Sequence, residues 1–159
     1  MKALVRLALA GLFALVITQA NATVVIKNDP GGKIVDFIDK YSRLRASGEA
    51  VVIDGDCASA CTMLLGMLPT GQFCGTKAAA FGFHTATSRW RDEDGAMREG
   101  HAVEMSALMW NMYPPRVRKL VKVMGWNGDQ PEIPHPDVVW VKGANVRLIA
   151  RGCTGDDLK

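Results

Sequence analysis

The sequence is poor in the features that mark several large classes of protein. Aromatic residues make up 7% of it, charged residues 22%, and its 19 Lys and Arg are nearly offset by 16 Asp and Glu. So even a balance gives no strongly basic surface, and nucleic acid is not an expected partner. The three histidines, His84, His101 and His135, show no His-x-x-x-His spacing, and the four cysteines include no Cys-x-x-Cys pair. Zinc sites and thioredoxin-like centres lean on those spacings, so a metal, a dithiol redox role and any cofactor are not expected. No internal repeat or low-complexity segment is visible, which argues against solenoids and disordered linkers. Beyond residue 22, no stretch approaches the ~18 consecutive apolar residues of a membrane span.

What is present is the composition of one soluble globular domain, 48% hydrophobic, preceded by a distinct N-terminal segment. Met1 to Ala22 has a basic start (Lys2, Arg6), an apolar run (Leu7 to Ile17) and the small-x-small end Ala20-Asn21-Ala22. That is the pattern of a cleavable secretory leader, with an uncleaved anchor as the alternative. No Cys stands at its end to carry a lipid. The expectation is a leader over 1–22 and a single domain over 23–159, periplasmic or secreted and free of the membrane after cleavage. Subtracting Lys2 and Arg6 from the 19 basic residues leaves 17 against 16 acidic, so the formal charge drops from +3 to +1. Export also means an oxidising compartment, where Cys57, Cys61, Cys74 and Cys153 can close two disulfides in three alternative pairings. Cys153, near the end of the chain, reads as a staple for the C-terminal tail.

Thr23 to Lys27 is β-branched and runs into Asn28-Asp29-Pro30-Gly31-Gly32, a strand ending in a Gly-rich turn. Ile34, Phe37, Ile38, Tyr41 and Leu44 then recur at helical spacing over 33–46, until Ser47-Gly48 stops the run. Ala50 to Ile53 is a continuous apolar run, as in a strand covered on both faces, so strand, helix and strand form a parallel crossover of an α/β fold. Asp54 to Cys57 reads as a turn into a small-residue, mostly buried helix from Ala58 to Met67. Short strands are expected at Phe73-Cys74 and 78–83, with His84 at the end of the second. The polar stretch 85–100 reads as a long exposed loop. Helices follow over 102–112, with Val103, Leu108, Met109 and Met112 on one side, and over 116–124, with Val117, Leu120, Val121 and Met124 inward. A last apolar run at 138–141 precedes a helix or strand at 145–150.

Three features fall in the order acyl transfer needs: a Gly-Gly turn after a strand, a Ser among small residues opening a helix, and a His at a strand end. A serine hydroxyl is a weak nucleophile near neutral pH and needs a base such as imidazole within reach. A tetrahedral oxyanion needs converging backbone N–H groups, which a Gly-Gly turn and the first amides of a helix can supply. Ala58 and Ala60 beside Ser59 would let a substrate backbone approach.

These residues resemble the serine peptidases of the Clp protease proteolytic-subunit type, in the ClpP/crotonase superfamily. The resemblance runs from Val24 to His84. It passes through Ile26-Lys27-Asn28-Asp29-Pro30-Gly31-Gly32, Asp56-Cys57-Ala58-Ser59-Ala60-Cys61 and Ala80-Phe81-Gly82-Phe83-His84, with 25 residues from Ser59 to His84. A leader followed by Cys-x-Ser-Ala-Cys looks most like the exported bacterial branch.

The resemblance implies repeated β-α-β units with a mostly parallel sheet and a peptide or protein substrate. It assigns Ser59 as nucleophile, His84 as base and then acid, and Gly31, Gly32 and Ala60 as oxyanion donors. Its acid would follow the next helix, where Asp129, Glu132 and Asp137 stand; Asp137 is chosen for its place before the 138–141 run. Two departures accompany it. About one βα unit is missing before Thr23, which leaves a sheet edge for a covering partner or a second copy, since family members form oligomers. Asp29 stands where the family commonly has Ser, and its charge could oppose an oxyanion. The alternative to a hydrolase is therefore an inactive binding or scaffold protein on the same fold, held by disulfides.

Overall fold

The computed structural model describes residues 22–133 and 137–158. Nearly all of the leader read from the sequence, and His135, lie outside them. The fold is α/β with a mainly parallel six-stranded sheet and a separate two-stranded hairpin.

The sheet is organised by its longest strand. Strand β1 (Thr23–Asp29) leads through helix α1 (Ile34–Ser47) to β2 (Ala50–Ala58), and β1 and β2 pair in parallel from Thr23 opposite Ala50 to Asp29 opposite Cys57. The first half of β2 also pairs with β3 (Phe73–Gly75), and its second half with β4 (Ala80–Phe83). A strand has two hydrogen-bonding edges. With β1 running the length of one, β3 and β4 share the other. Strand β7 (Val139–Lys142) pairs antiparallel with β4, and β8 (Arg151–Gly152) extends the sheet beyond β3 in parallel. Among the described residues β1 pairs with β2 alone, so its outer edge is open and Val25 is half exposed.

Asp54 to Cys57 is therefore strand and not the expected turn. A register shift between Ile26 and Asn28 lets β1 continue alongside, and Gly55 makes it feasible: a Cβ there would stand 1.7 Å from the Lys27 carbonyl oxygen. Pairing with β4 completes the extension, a tertiary contact that overrides the turn preference of Asp-Gly-Asp.

Helix α1 forms as read. Ile34, Phe37, Tyr41 and Leu44 are its buried face, and Gly48, with φ 72°, closes it by donating its amide to the Leu44 carbonyl. Each large apolar side chain so buried contributes about 1.5–3 kcal/mol. The expected helix after Ala58 is a 3-10 turn (Ser59–Met63) followed by a single helical turn, α2 (Leu64–Met67).

The stretch expected as a loop is a hairpin, β5 (Thr87–Arg91) against β6 (Met97–His101). The Asp92 carboxylate accepts the Ala96 amide across its turn, and Arg89–Glu99 and Arg98–Asp92 ion pairs cross it. Neither strand has a buried face, which is why no apolar alternation betrays it. Helix α3 (Val103–Met112) buries Ser106 and Met109 and leaves Val103, at the hairpin's exit, exposed. Helix α4 (Pro115–Val123) turns Val117 and Val121 inward. Residues 143–148 form a 3-10 turn.

The sulfurs pair as Cys57–Cys61 and Cys74–Cys153. The second ties the tail to β3, as read for Cys153, and Arg151 secures it further with an ion pair to Asp157. No helix of the described residues is long and apolar enough to cross a membrane.

Candidate active site

Ser59 is the first residue beyond β2 and has a φ of 55°, the one non-glycine described residue in the left-handed region. That conformation costs a residue with a Cβ about 1–2 kcal/mol and persists only where the surroundings impose it. Here they do so from several sides. The Cys57–Cys61 disulfide brackets the turn. The Tyr41 hydroxyl, from α1, donates to the Cys61 carbonyl at 2.8 Å. The Thr62 hydroxyl donates to the Ser59 carbonyl at 2.6 Å and lies 2.5 Å from the Tyr113 hydroxyl. Burial pushes both tyrosines well above the usual phenol range, so they remain neutral donors.

The β1–α1 turn closes over Ser59. A Cβ at Gly31, whose φ is 86°, would lie 2.6 Å from Ser59 Cβ, 2.7 Å from the Ala58 carbonyl oxygen and 2.9 Å from the Ala60 nitrogen. Only glycine fits there.

His84 follows the last residue of β4. Phe83 before it is buried against Tyr113 and Trp126, at ring-centroid distances of 5.4 and 5.8 Å, which fixes where the chain leaves the sheet. His84 Nδ1 lies 2.7 Å from the Thr85 carbonyl oxygen. A carbonyl can only accept, so Nδ1 carries a proton, and in the neutral ring that leaves the lone pair on Nε2.

Ser59, His84, Gly31 and Gly32 line one cleft of about 740 Å³. Its apolar wall comes from Ile34 and Val35 at the start of α1 together with Ala86 and Met105, and hairpin residues Thr87 to Arg89 form its rim. Ala60 is buried and is not among the residues lining the cleft; its amide nitrogen lies 2.9 Å from where a Cβ on Gly31 would stand. As one of the first amides of a 3-10 turn it has no acceptor within that turn.

Asp29 alters the expected donor set. Its carboxylate accepts the Gly31 amide at 3.0 Å and an ion pair from Lys40 at 3.2 Å. This is an Asx turn, and it commits the Gly31 amide to Asp29. Of the expected donors, Gly32 and Ala60 lie outside that turn.

Asp137 is exposed and does not line the cleft, although it lies two residues before β7, at the end of the β4–β7 pair from which His84 emerges. The atom an orienting acid would hold, His84 Nδ1, is engaged by the Thr85 carbonyl. Asp129 is paired with Lys122, which holds its carboxyl below the usual range, and Glu132 is exposed.

Sequence reading missed the groups that hold the Ser59 turn. Tyr41 registered only as part of an apolar stripe, and nothing local links Thr62 to Tyr113, 51 residues away. A Ser–His contact also went unread: Ser106 Oγ lies 3.3 Å from His101 Nε2. Ser106 is buried, accepts the Ala86 amide and donates to the Ala102 carbonyl, so it ties down the base of the hairpin.

No family model matches the sequence, and no curated protein matches it. Among solved structures, a point mutant of ClpP1 from Listeria monocytogenes is similar over 87% of this chain and 95% of that one, with 14% identity and a TM-score of 0.40.

Proposed function

We propose that this chain is an exported serine hydrolase of the ClpP-like type, an ATP-independent peptidase of periplasmic or secreted location acting on peptide or protein substrates. The observation that carries the reading is the setting of Ser59: a left-handed serine at a strand end, capped by Gly31, in the cleft that His84 lines.

In this reading Ser59 Oγ attacks the scissile carbonyl while His84 Nε2 takes the hydroxyl proton, and the carbonyl π electrons move onto oxygen. The Gly32 and Ala60 amides receive that oxyanion. Collapse breaks the C–N bond, and His84 returns the proton to the leaving amine. Water then repeats the sequence on the acyl-enzyme, releasing the acid and restoring Ser59. The Thr85 carbonyl holds the His84 tautomer, the place an acid such as Asp137 would take in a triad. A neutral carbonyl stabilises imidazolium less than a carboxylate does, so turnover is expected to be slow.

The open edge of β1 supports self-assembly or a covering partner as part of the same reading. One observation favours the second reading, an inactive binding or scaffold protein: the Asp29 carboxylate lies against the turn that would hold an oxyanion.

Covalent labelling with a fluorophosphonate separates the two. The hydrolase reading expects labelling of oxidised, folded protein that disappears in Ser59→Ala and His84→Ala. An unlabelled wild type with native secondary structure would establish the binding protein instead.

A further inference from the structure

We propose that Thr62 is a positioning residue for Ser59, its hydroxyl, aimed by Tyr113, holding the serine carbonyl so that the side chain stays in the cleft. This rests on the hydrolase reading for its kinetic consequence, though not for its geometry.

Counting protons gives the chain of bonds a direction. Thr62 has one hydroxyl hydrogen. Its 2.6 Å contact is to the Ser59 carbonyl, which can only accept, so that hydrogen is spent there. The 2.5 Å contact with Tyr113 must then be donated by the phenol. The order is Tyr113 O–H to Thr62 Oγ1, and Thr62 O–H to the Ser59 carbonyl. Both side chains are fully enclosed, Thr62 at 0% and Tyr113 at 1% exposure, so no water competes.

The chain also joins parts of the molecule that sequence separates. Tyr113 follows α3 and packs its ring on Phe83, the residue before His84. One side chain therefore touches the supports of both reacting groups: Ser59 through Thr62, and His84 through Phe83. A plain structural role would need only the Tyr113 ring. The hydroxyl pair adds a fixed carbonyl direction at the one non-glycine described residue held at positive φ, and reorienting that carbonyl would swing the Ser59 Cα–Cβ bond and the adjacent Ala60 amide with it.

The test compares Thr62→Val/Tyr113→Phe with Thr62→Ser. The double variant removes both hydroxyls together, so no buried donor is left without a partner; the one acceptor released, the carbonyl of part-buried Ser59, is within reach of water, and folding is largely preserved. With a saturable fluorophosphonate, the maximal labelling rate is expected to fall, by up to about a hundredfold, with the half-saturating concentration unchanged. Thr62→Ser, which keeps the hydroxyl, restores the rate. An unchanged rate in the folded double variant overturns the proposal, as does failure of Thr62→Ser to recover it. If wild type does not label at all, the hydrolase reading has failed and NMR decides the geometry. A strong intraresidue amide-to-Hα contact at Ser59, the mark of positive φ, is expected in wild type and in Thr62→Ser and lost in the double variant. Its persistence in the double variant overturns the positioning role.

Discussion

Gly31 and Ser59 are packed so closely that a single added methyl group would stand 2.6 Å from the serine Cβ. The turn after β1 and the turn after β2 are thus one unit, and neither can shift without the other. Gly31→Ala must push them apart while adopting a strained positive φ. Fluorophosphonate labelling is expected to disappear, with destabilisation of about 1–3 kcal/mol by urea denaturation. Wild-type labelling in folded Gly31→Ala would show that the contact is dispensable.

The Thr85 carbonyl at His84 Nδ1 predicts unequal roles for His84 and Asp137. His84→Ala is expected to abolish labelling, whereas Asp137→Asn slows it less than about tenfold, well short of the loss produced when a true triad acid is removed. Equal losses in the two variants would make Asp137 the partner of Nδ1.

Removing Asp29 tests its place beside the oxyanion donors. Asp29→Ala frees the Gly31 amide and removes a negative charge from the turn, so labelling is expected to accelerate by about tenfold, the order gained from one better-placed donor or charge. A slower rate would mean that the Asx turn and the Lys40 ion pair are what keep Gly31 over Ser59.

The two disulfides should separate stability from reactivity. Cys74–Cys153 closes a sequence separation of 79 residues, Cys57–Cys61 one of 4. Chain entropy makes the long closure the larger stabiliser, about 2–5 kcal/mol. Replacing Cys74 and Cys153 by Ser is expected to lower the urea midpoint strongly. Replacing Cys57 and Cys61 is expected to lower it less and to suppress labelling more. The reverse order would assign the short bridge a global role.

Acid should loosen the tail before the core. Arg151 and the Thr154 amide hold the Asp157 carboxyl well below the usual range. A carboxylate lowered by folding contributes stability above its unfolded pKa of about 4 and loses it as pH falls through the folded value. Amide exchange in residues 151–158 is therefore expected to accelerate as pH drops below about 4, after correction for intrinsic rates, and Asp157→Asn should show that looseness already at neutral pH.

The amino-acid order by itself determined the α/β class, helix α1, the parallel β1–β2 pair, the tail staple and the candidates Ser59 and His84. Those depend on local periodicity, on turn chemistry and on which residue types can carry acyl transfer. Tertiary structure alone decided the rest. The Asp54–Cys57 segment became strand because β1 bulges and β4 pairs beside it, and the polar stretch after Thr85 became a hairpin through ion pairs that leave no apolar period. The cysteine pairing, the Asp29 bond to Gly31 and the Tyr113–Thr62–Ser59 chain each join residues through hydrogen bonds or sulfurs whose partners only the folded backbone selects. Hydrophobic periodicity is a property of neighbours along the chain. A hydrogen-bond partner is a property of neighbours in space.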